Sequence, residues 1–139
     1  MDEPAFDPAA SGWQPYSDDG FIGLIGPLWT REEAGMPRFG FLADRRHRNR
    51  RGVVQGGMLM TFADRAIGMT VYHAIGKQPE ATIQLDIHFV DAVRIGEFVE
   101  AHCDVVRRTR SVVFTSATLV AGGRTVATAH GVWKILKSS

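Results

Sequence analysis

The chain has 139 residues, 45% of them apolar and 22% charged, with a formal net charge of +1, which describes one ordinary globular domain and leaves too little chain for two. A chain of this length buries roughly two-thirds of its unfolded surface, so it needs neither a metal nor a disulfide, and the lone Cys103 offers no disulfide framework. No apolar run approaches the roughly 20 residues of a membrane-spanning helix, the start Met1-Asp2-Glu3-Pro4 lacks a signal-peptide layout, and the near-zero net charge argues against a nucleic-acid coat; a cytoplasmic location is expected.

Residues 1–19 carry three prolines, Gly12 and five acidic residues without periodicity, and read as a loosely held arm that Trp13 and Tyr16 can pin to the body. The rest, 20–139, reads as a single domain. Phe21 to Trp29 is an apolar run with two glycines and Pro27, expected as a first strand with a kink. Arg38 to Leu42 is a second short strand, and it leads into Arg45 to Arg51, with five arginines in seven residues. Gly56-Gly57 then opens an apolar stretch closed by Gly76, which predicts a helix of about five turns with a glycine stop. Apolar residues fall nearly all round it, so it is expected to be enclosed.

From Ala81 the period changes to two. Ala81, Ile83, Leu85, Ile87 and Phe89 alternate with Thr82, Gln84, Asp86 and His88, the pattern of a half-buried strand. A further strand begins at Gly96, another spans Ser111 to Ala121, and Gly122-Gly123 turns it into a last one over Arg124 to Leu136. One face of that strand carries Ala127, Ala129 and Gly131 in succession, leaving space for something bulky such as a helix lying across the sheet. The order of elements predicts an α+β fold in which an antiparallel sheet wraps one long helix.

Asp64 is the first candidate for chemistry. Its helical neighbours Met60, Thr61, Ile67, Gly68 and Val71 form a mainly apolar stripe. A carboxylate there is either solvated or paired with a cation such as Arg65, or it is a nucleophile or general base. Gln55-Gly56-Gly57 at the start of the same helix is the second. Glycines let a ligand approach the backbone, and the unpaired N–H groups of a helix start stabilise an oxyanion; the plain alternative is a tight turn into the helix. Together they put a carboxylate about two turns beyond an electrophile-binding helix end.

The stretch NRRGVVQGGMLMTFADRAIG resembles the signature of hotdog-fold acyl-CoA thioesterases of the PaaI, or 4-hydroxybenzoyl-CoA thioesterase-like, type. Asn49, Gly56, Gly57 and Asp64 stand at the family's positions, and Thr82 matches its polar residue entering the next strand. Gln55 departs from the pattern, standing where many members have His; it donates a hydrogen bond but does not titrate. The resemblance implies a hotdog fold and hydrolysis of an acyl-CoA to a free acid and coenzyme A, with no cofactor because coenzyme A is part of the substrate. It implies that the Gly56 N–H polarises the thioester carbonyl and that Asp64 attacks it or activates water. Asn49 and Gln55 would orient substrate or water, and Thr82 would position water or the carboxylate. It further implies a homodimer with sites at the interface, Asp64 facing the Gln55 and Gly56 of the other subunit, assembled as a dimer of dimers.

Arginines of the 45–51 run, Arg51 among them, and a second set, Arg107, Arg108 and Arg110 at a turn before Ser111, match phosphate oxygens. Arg51, Arg110, Ser111 and Gly57 are therefore expected on the coenzyme A side; the alternative for the arginines is a solvated loop. Nucleic acid is not expected, since the clusters lack interleaved aromatics. The five histidines show no short ligand spacing, so no metal site is expected. Cys103 falls on the apolar phase of its strand, and Trp133 and Phe89 read as core or interface packing. Met60 and Ile67 beside Asp64 point to an apolar or aromatic acyl group. The competing reading is an acyl-CoA-binding or sensing domain without turnover, favoured by Gln55; a hydratase is disfavoured, because it needs a His and acid pair.

Overall fold

The computed structural model describes residues 5–137. Seven strands, β1 (Gln14–Tyr16), β2 (Leu28–Glu33), β3 (Met36–Leu42), β4 (Glu80–Phe89), β5 (Phe98–Arg108), β6 (Val112–Ala121) and β7 (Arg124–Ile135), accompany a short helix α1 (Phe21–Ile25) and a long one, α2 (Gly56–Ala74). Every neighbouring pair is antiparallel, and the sheet order is β1-β2-β3-β5-β6-β7-β4. The sheet wraps α2, so this is the α+β hotdog architecture.

The apolar ridge of α2, Leu59, Phe62, Ala63, Ala66, Ile67 and Val71, is buried against the sheet, and Phe62 meets the Phe41 ring edge-on with centroids 4.9 Å apart. The helix stops as its sequence predicts. Gly76 takes φ +77, and the N–H of Lys77 returns to the Tyr72 carbonyl at 2.8 Å, tying off the last turn. Gly122 and Gly123, both at positive φ, make the tight turn between β6 and β7.

Several expectations are corrected. Phe21 to Trp29 is not one strand: residues 21–25 coil into α1, and the strand begins only at Leu28, after the cis Gly26-Pro27 bond. Three short contacts hold that turn in place. Arg46 donates to the carbonyls of Leu24 at 2.8 Å and Gly26 at 2.6 Å, and His47 Nε2 to that of Ile25 at 2.7 Å. The segment read as a loose arm supplies β1, which pairs with β2, and its Trp13 is buried; residues 1–4 of it lie outside the described residues. Arg107 and Arg108 belong to β5 rather than to the following turn. Space left beside Gly131 is filled by the Trp133 ring, since a Cβ there would stand 2.1 Å from that ring, and not by the helix alone. Nor is α2 enclosed all round: Gly57, Met60 and Asp64 form an exposed stripe.

An ion cluster locks the 91–97 loop to the β6–β7 hairpin. Arg124 donates to Glu97 at 2.7 and 2.8 Å, to Asp91 at 2.9 Å and to the Ala92 carbonyl at 2.8 Å. The Arg124 hydrogen bonds hold the Glu97 carboxyl below its ordinary range despite opposing burial, so this contribution is complete above the unfolded-state value near 4.5 and lost as pH falls through the lower folded one. Arg124→Ala is expected to cost about 1–3 kcal/mol at pH 7. The gap from wild type should narrow in thermal melts below pH 4; an equal gap at both pH values would show that the arginine acts by packing alone.

Candidate active site

Asp64 lies on the exposed stripe of α2, and Thr82 Oγ1 donates to its Oδ1 at 2.7 Å. Strict alternation along β4 would turn Thr82 to the outer face with Gln84 and Asp86. The register shifts between Thr82 and Gln84, leaving Ile83 as a bulge, and beyond it Thr82 pairs opposite Trp133 and Glu80 opposite Ile135. Both polar side chains thereby turn to the helix side of the sheet, the re-aiming that bulges perform. The half-buried reading of β4 needs correction as well, because none of its residues is buried and Ile83 and Phe89 are more than half exposed.

Asp64, Thr82, Glu80, Arg65, Gly68 and Trp133 line one cleft of about 270 Å3. Glu80 escaped the sequence reading, its only signal being its position two residues before Thr82. Burial and then the charge of Asp64 push its carboxyl above the ordinary range, with Arg65 opposing. Arg65 itself is held away from Asp64 by Tyr16 Oη at 2.8 Å and Asp18 at 3.2 Å. Asp64 thus has a hydroxyl partner and no arginine or lysine partner among the described residues.

The helix start is built separately. Gln55 stands at the cap position of α2 without a capping side-chain hydrogen bond, so the N–H groups of Gly56 and Gly57 have no partner among the described residues, at the positive end of the helix dipole. A Cβ at Gly56 would crowd the Phe89 ring, whose nearest atom lies 3.0 Å from where it would sit, so the ring would have to give way. Asn49 shapes the preceding loop: its Oδ1 accepts from the N–H of Arg51 at 2.8 Å and of Val53 at 3.3 Å, which leaves only its amide N–H groups to point elsewhere. Asn49, Arg51, Gly56 and Phe89 line a cleft of about 390 Å3, while Gln55 and Gly57 line another of about 410 Å3 with Phe21, Ile25 and Met58.

The expected site residues therefore fall into groups. Asp64 and Thr82 are in contact; Asn49, Arg51 and Gly56 share a cleft; Gln55 and Gly57 share a second. Eight residues of helix separate Gly56 from Asp64, about 12 Å along the axis, so one chain does not bring helix start and carboxylate together. Arg110 and Ser111 sit at the β5–β6 turn, where the Ser111 carbonyl accepts the Ile135 N–H at 2.9 Å; that is the Glu80 end of the sheet, remote from Arg51. Arg46 is committed to α1 carbonyls and Asp44, so not every arginine of the 45–51 run is free for phosphate. Ile67 faces the core, and of the two proposed acyl contacts only Met60 is exposed. Burial pushes the Cys103 thiol up to about 11, which removes it as a nucleophile at neutral pH. No helix among the described residues is long and apolar enough to cross a membrane.

Comparison with known proteins gives the family and the fold. The profile of the thioesterase superfamily matches residues 51–128. A Pseudomonas aeruginosa protein named as a candidate esterase is 32% identical over 127 residues, 89% of this chain and 95% of its own. The chain belongs to the thioesterase superfamily. Its fold is similar to that of a phenylacetic acid degradation-related protein of Ralstonia eutropha, with 25% identity, TM-score 0.75 and coverage of 86% of this chain and 92% of that one. It is similar also to a Bacillus halodurans protein crystallised with CoA, with 24% identity, TM-score 0.72 and coverage of 79% and 74%.

Proposed function

We propose that the protein hydrolyses acyl-CoA thioesters to a free acid and coenzyme A, at a site completed by two copies of the chain. The observation that carries this reading is Asp64, exposed on α2 and oriented by Thr82 through the β4 bulge. With Oδ1 occupied, Oδ2 is left to take a proton from water. The hydroxide adds to the thioester carbonyl, the C–S bond breaks, and the proton passes to the departing thiolate. An uncapped helix start supplies the N–H of Gly56 for the developing oxyanion, and none of these steps requires a titrating histidine at Gln55.

The second copy follows from distance and from the sheet edge. β4 is an edge strand with Ile83 and Phe89 exposed, followed by exposed Val90, a surface that invites pairing. Antiparallel pairing of β4 with its counterpart sets the Glu80–Thr82 end of one copy beside the Phe89 end of the other. Since Phe89 lies against Gly56, the same pairing brings the helix start of one copy to Asp64 of the other. It also brings the Arg110 and Ser111 turn toward the Arg51 side of the other copy, a combined cradle for the phosphates. The CoA bound by the Bacillus halodurans protein supports that ligand class.

The test is release of free thiol from short, long and aromatic acyl-CoAs, together with the mass of the protein in solution. Turnover by a dimer or larger assembly is expected. Binding without turnover would make this an acyl-CoA sensor instead, and a turning-over monomer would sink the shared site.

A further inference from the structure

Hydrolysis changes the charge of the acyl group. The oxygen of water joins the acyl carbon and the C–S bond breaks; one water proton goes to the thiolate, and the other leaves the new carboxyl for solvent. A neutral thioester thus becomes an anion beside Asp64. Glu80 brings a second carboxylate to the same place. The two line one cleft with Arg65, Gly68 and Trp133, and Glu80 Oε2 lies 3.4 Å from where a Cβ on Gly68 would stand. Gly68 is one helical turn beyond Asp64, which sets the two carboxylates on the order of 6 Å apart.

Little in the cleft offsets that pair. Arg65 is its one cationic lining residue among the described residues, and its terminal nitrogens are taken by Tyr16 Oη at 2.8 Å and Asp18 Oδ2 at 3.2 Å. The Thr82 hydroxyl is spent on Asp64, and the buried indole N–H of Trp133 donates to no acceptor, Glu80 included. The reacting end of the substrate enters this cleft neutral, whereas the product stands charged within a Debye length of like charges. Asp64 carries the water proton until the thiolate takes it, so Glu80 is the standing negative charge throughout the step. Resting on the hydrolase reading above, we infer that Glu80 expels the product: its carboxylate, one helical turn beyond the general base, destabilises the newly formed acid anion and not the thioester, and so clears the cleft for the next acyl-CoA. Burial and then the charge of Asp64 raise the Glu80 carboxyl, the mark of an anion already crowded by a neighbour of its own sign.

Glu80→Gln keeps the shape of the side chain and removes its charge, and it breaks no hydrogen bond among the described residues. The probes are phenylacetate and hexanoate, each beside its neutral amide, phenylacetamide and hexanamide, which match the acids in size. Dissociation constants are read by ligand-detected NMR at pH 8, well above the ordinary carboxyl range. At least one acid is expected to bind Glu80→Gln about fivefold or more tighter than wild type, while its amide gains less than about twofold, because only the acid feels the deleted charge. A side chain that merely shaped the cleft would move acid and amide together. Glu80→Met, which offers the acid no donor, separates lost repulsion from a gained hydrogen bond, and the preference for acid over amide should rise in it as well. In turnover, the added acid should inhibit Glu80→Gln at correspondingly lower concentration than wild type. An acid that Glu80→Gln binds no better, an amide that gains as much, or a gain confined to Glu80→Gln overturns the role. If no acyl-CoA is cleaved, the hydrolase reading falls, and the acid and amide pairs still decide whether Glu80 repels a carboxylate in this cleft.

Discussion

Asp64→Asn is expected to lower acyl-CoA hydrolysis by roughly 10²–10⁴-fold, the range for removing a general base, with little change in thermal stability, because the side chain is exposed and its Thr82 partner can still donate to the amide oxygen. Thiol release under saturating substrate measures it. The companion variant is Gly56→Val, whose new side chain runs into the Phe89 ring and blocks the helix start. Each variant alone is inactive under the shared-site reading. Unfolded together in equal amounts and refolded, they should recover about a quarter of wild-type activity, since half the dimers are mixed and each mixed dimer holds one intact site. Full activity in Asp64→Asn would remove the carboxylate from the chemistry, and failure of the mixture to recover would place both groups in one chain.

Phe62→Ala is expected to cost about 3–5 kcal/mol, the range for a large aromatic lost from a close-packed core. Phe62 is fully buried and meets Phe41 edge-on, so it joins the ridge of α2 to β3. With stability changes of this size, a chain of this length should melt more than about 10 °C lower. Denaturant unfolding at constant protein concentration reads the effect directly, and a loss below 1 kcal/mol would mean that α2 is anchored elsewhere.

Much of the frame was legible because its signals are local. The Gly76 stop, the Gly122-Gly123 turn and the apolar content of α2 each depend on a few adjacent residues, and all stand where the sequence puts them. Asp64 and Thr82 were legible as a pair only through family resemblance, and their contact depends on a bulge at Ile83 that no alternation pattern announces. The same bulge explains why Glu80 went unnoticed, for on an unbroken count from Gln84 it faces outward. Residues 21–25 misled for a different reason: their apolar character suits a strand, but contacts from Arg46 and His47, some twenty residues away, secure a turn of helix there. Gly131 gave the right signal for empty space and the wrong occupant, since Trp133 reaches back along its own strand.

The place of β4 in the sheet has a consequence for how the molecule is made. Thr82 follows α2 closely in the chain, yet its cross-strand neighbour is Trp133, about fifty residues later. β5, β6 and β7 pair with their neighbours in the chain, whereas β4 has no ladder partner in the sheet until β7 is present. The carboxylate's orienting hydroxyl is consequently among the last parts to be seated, and a chain cut short before β7 loses Thr82's position and Trp133 together.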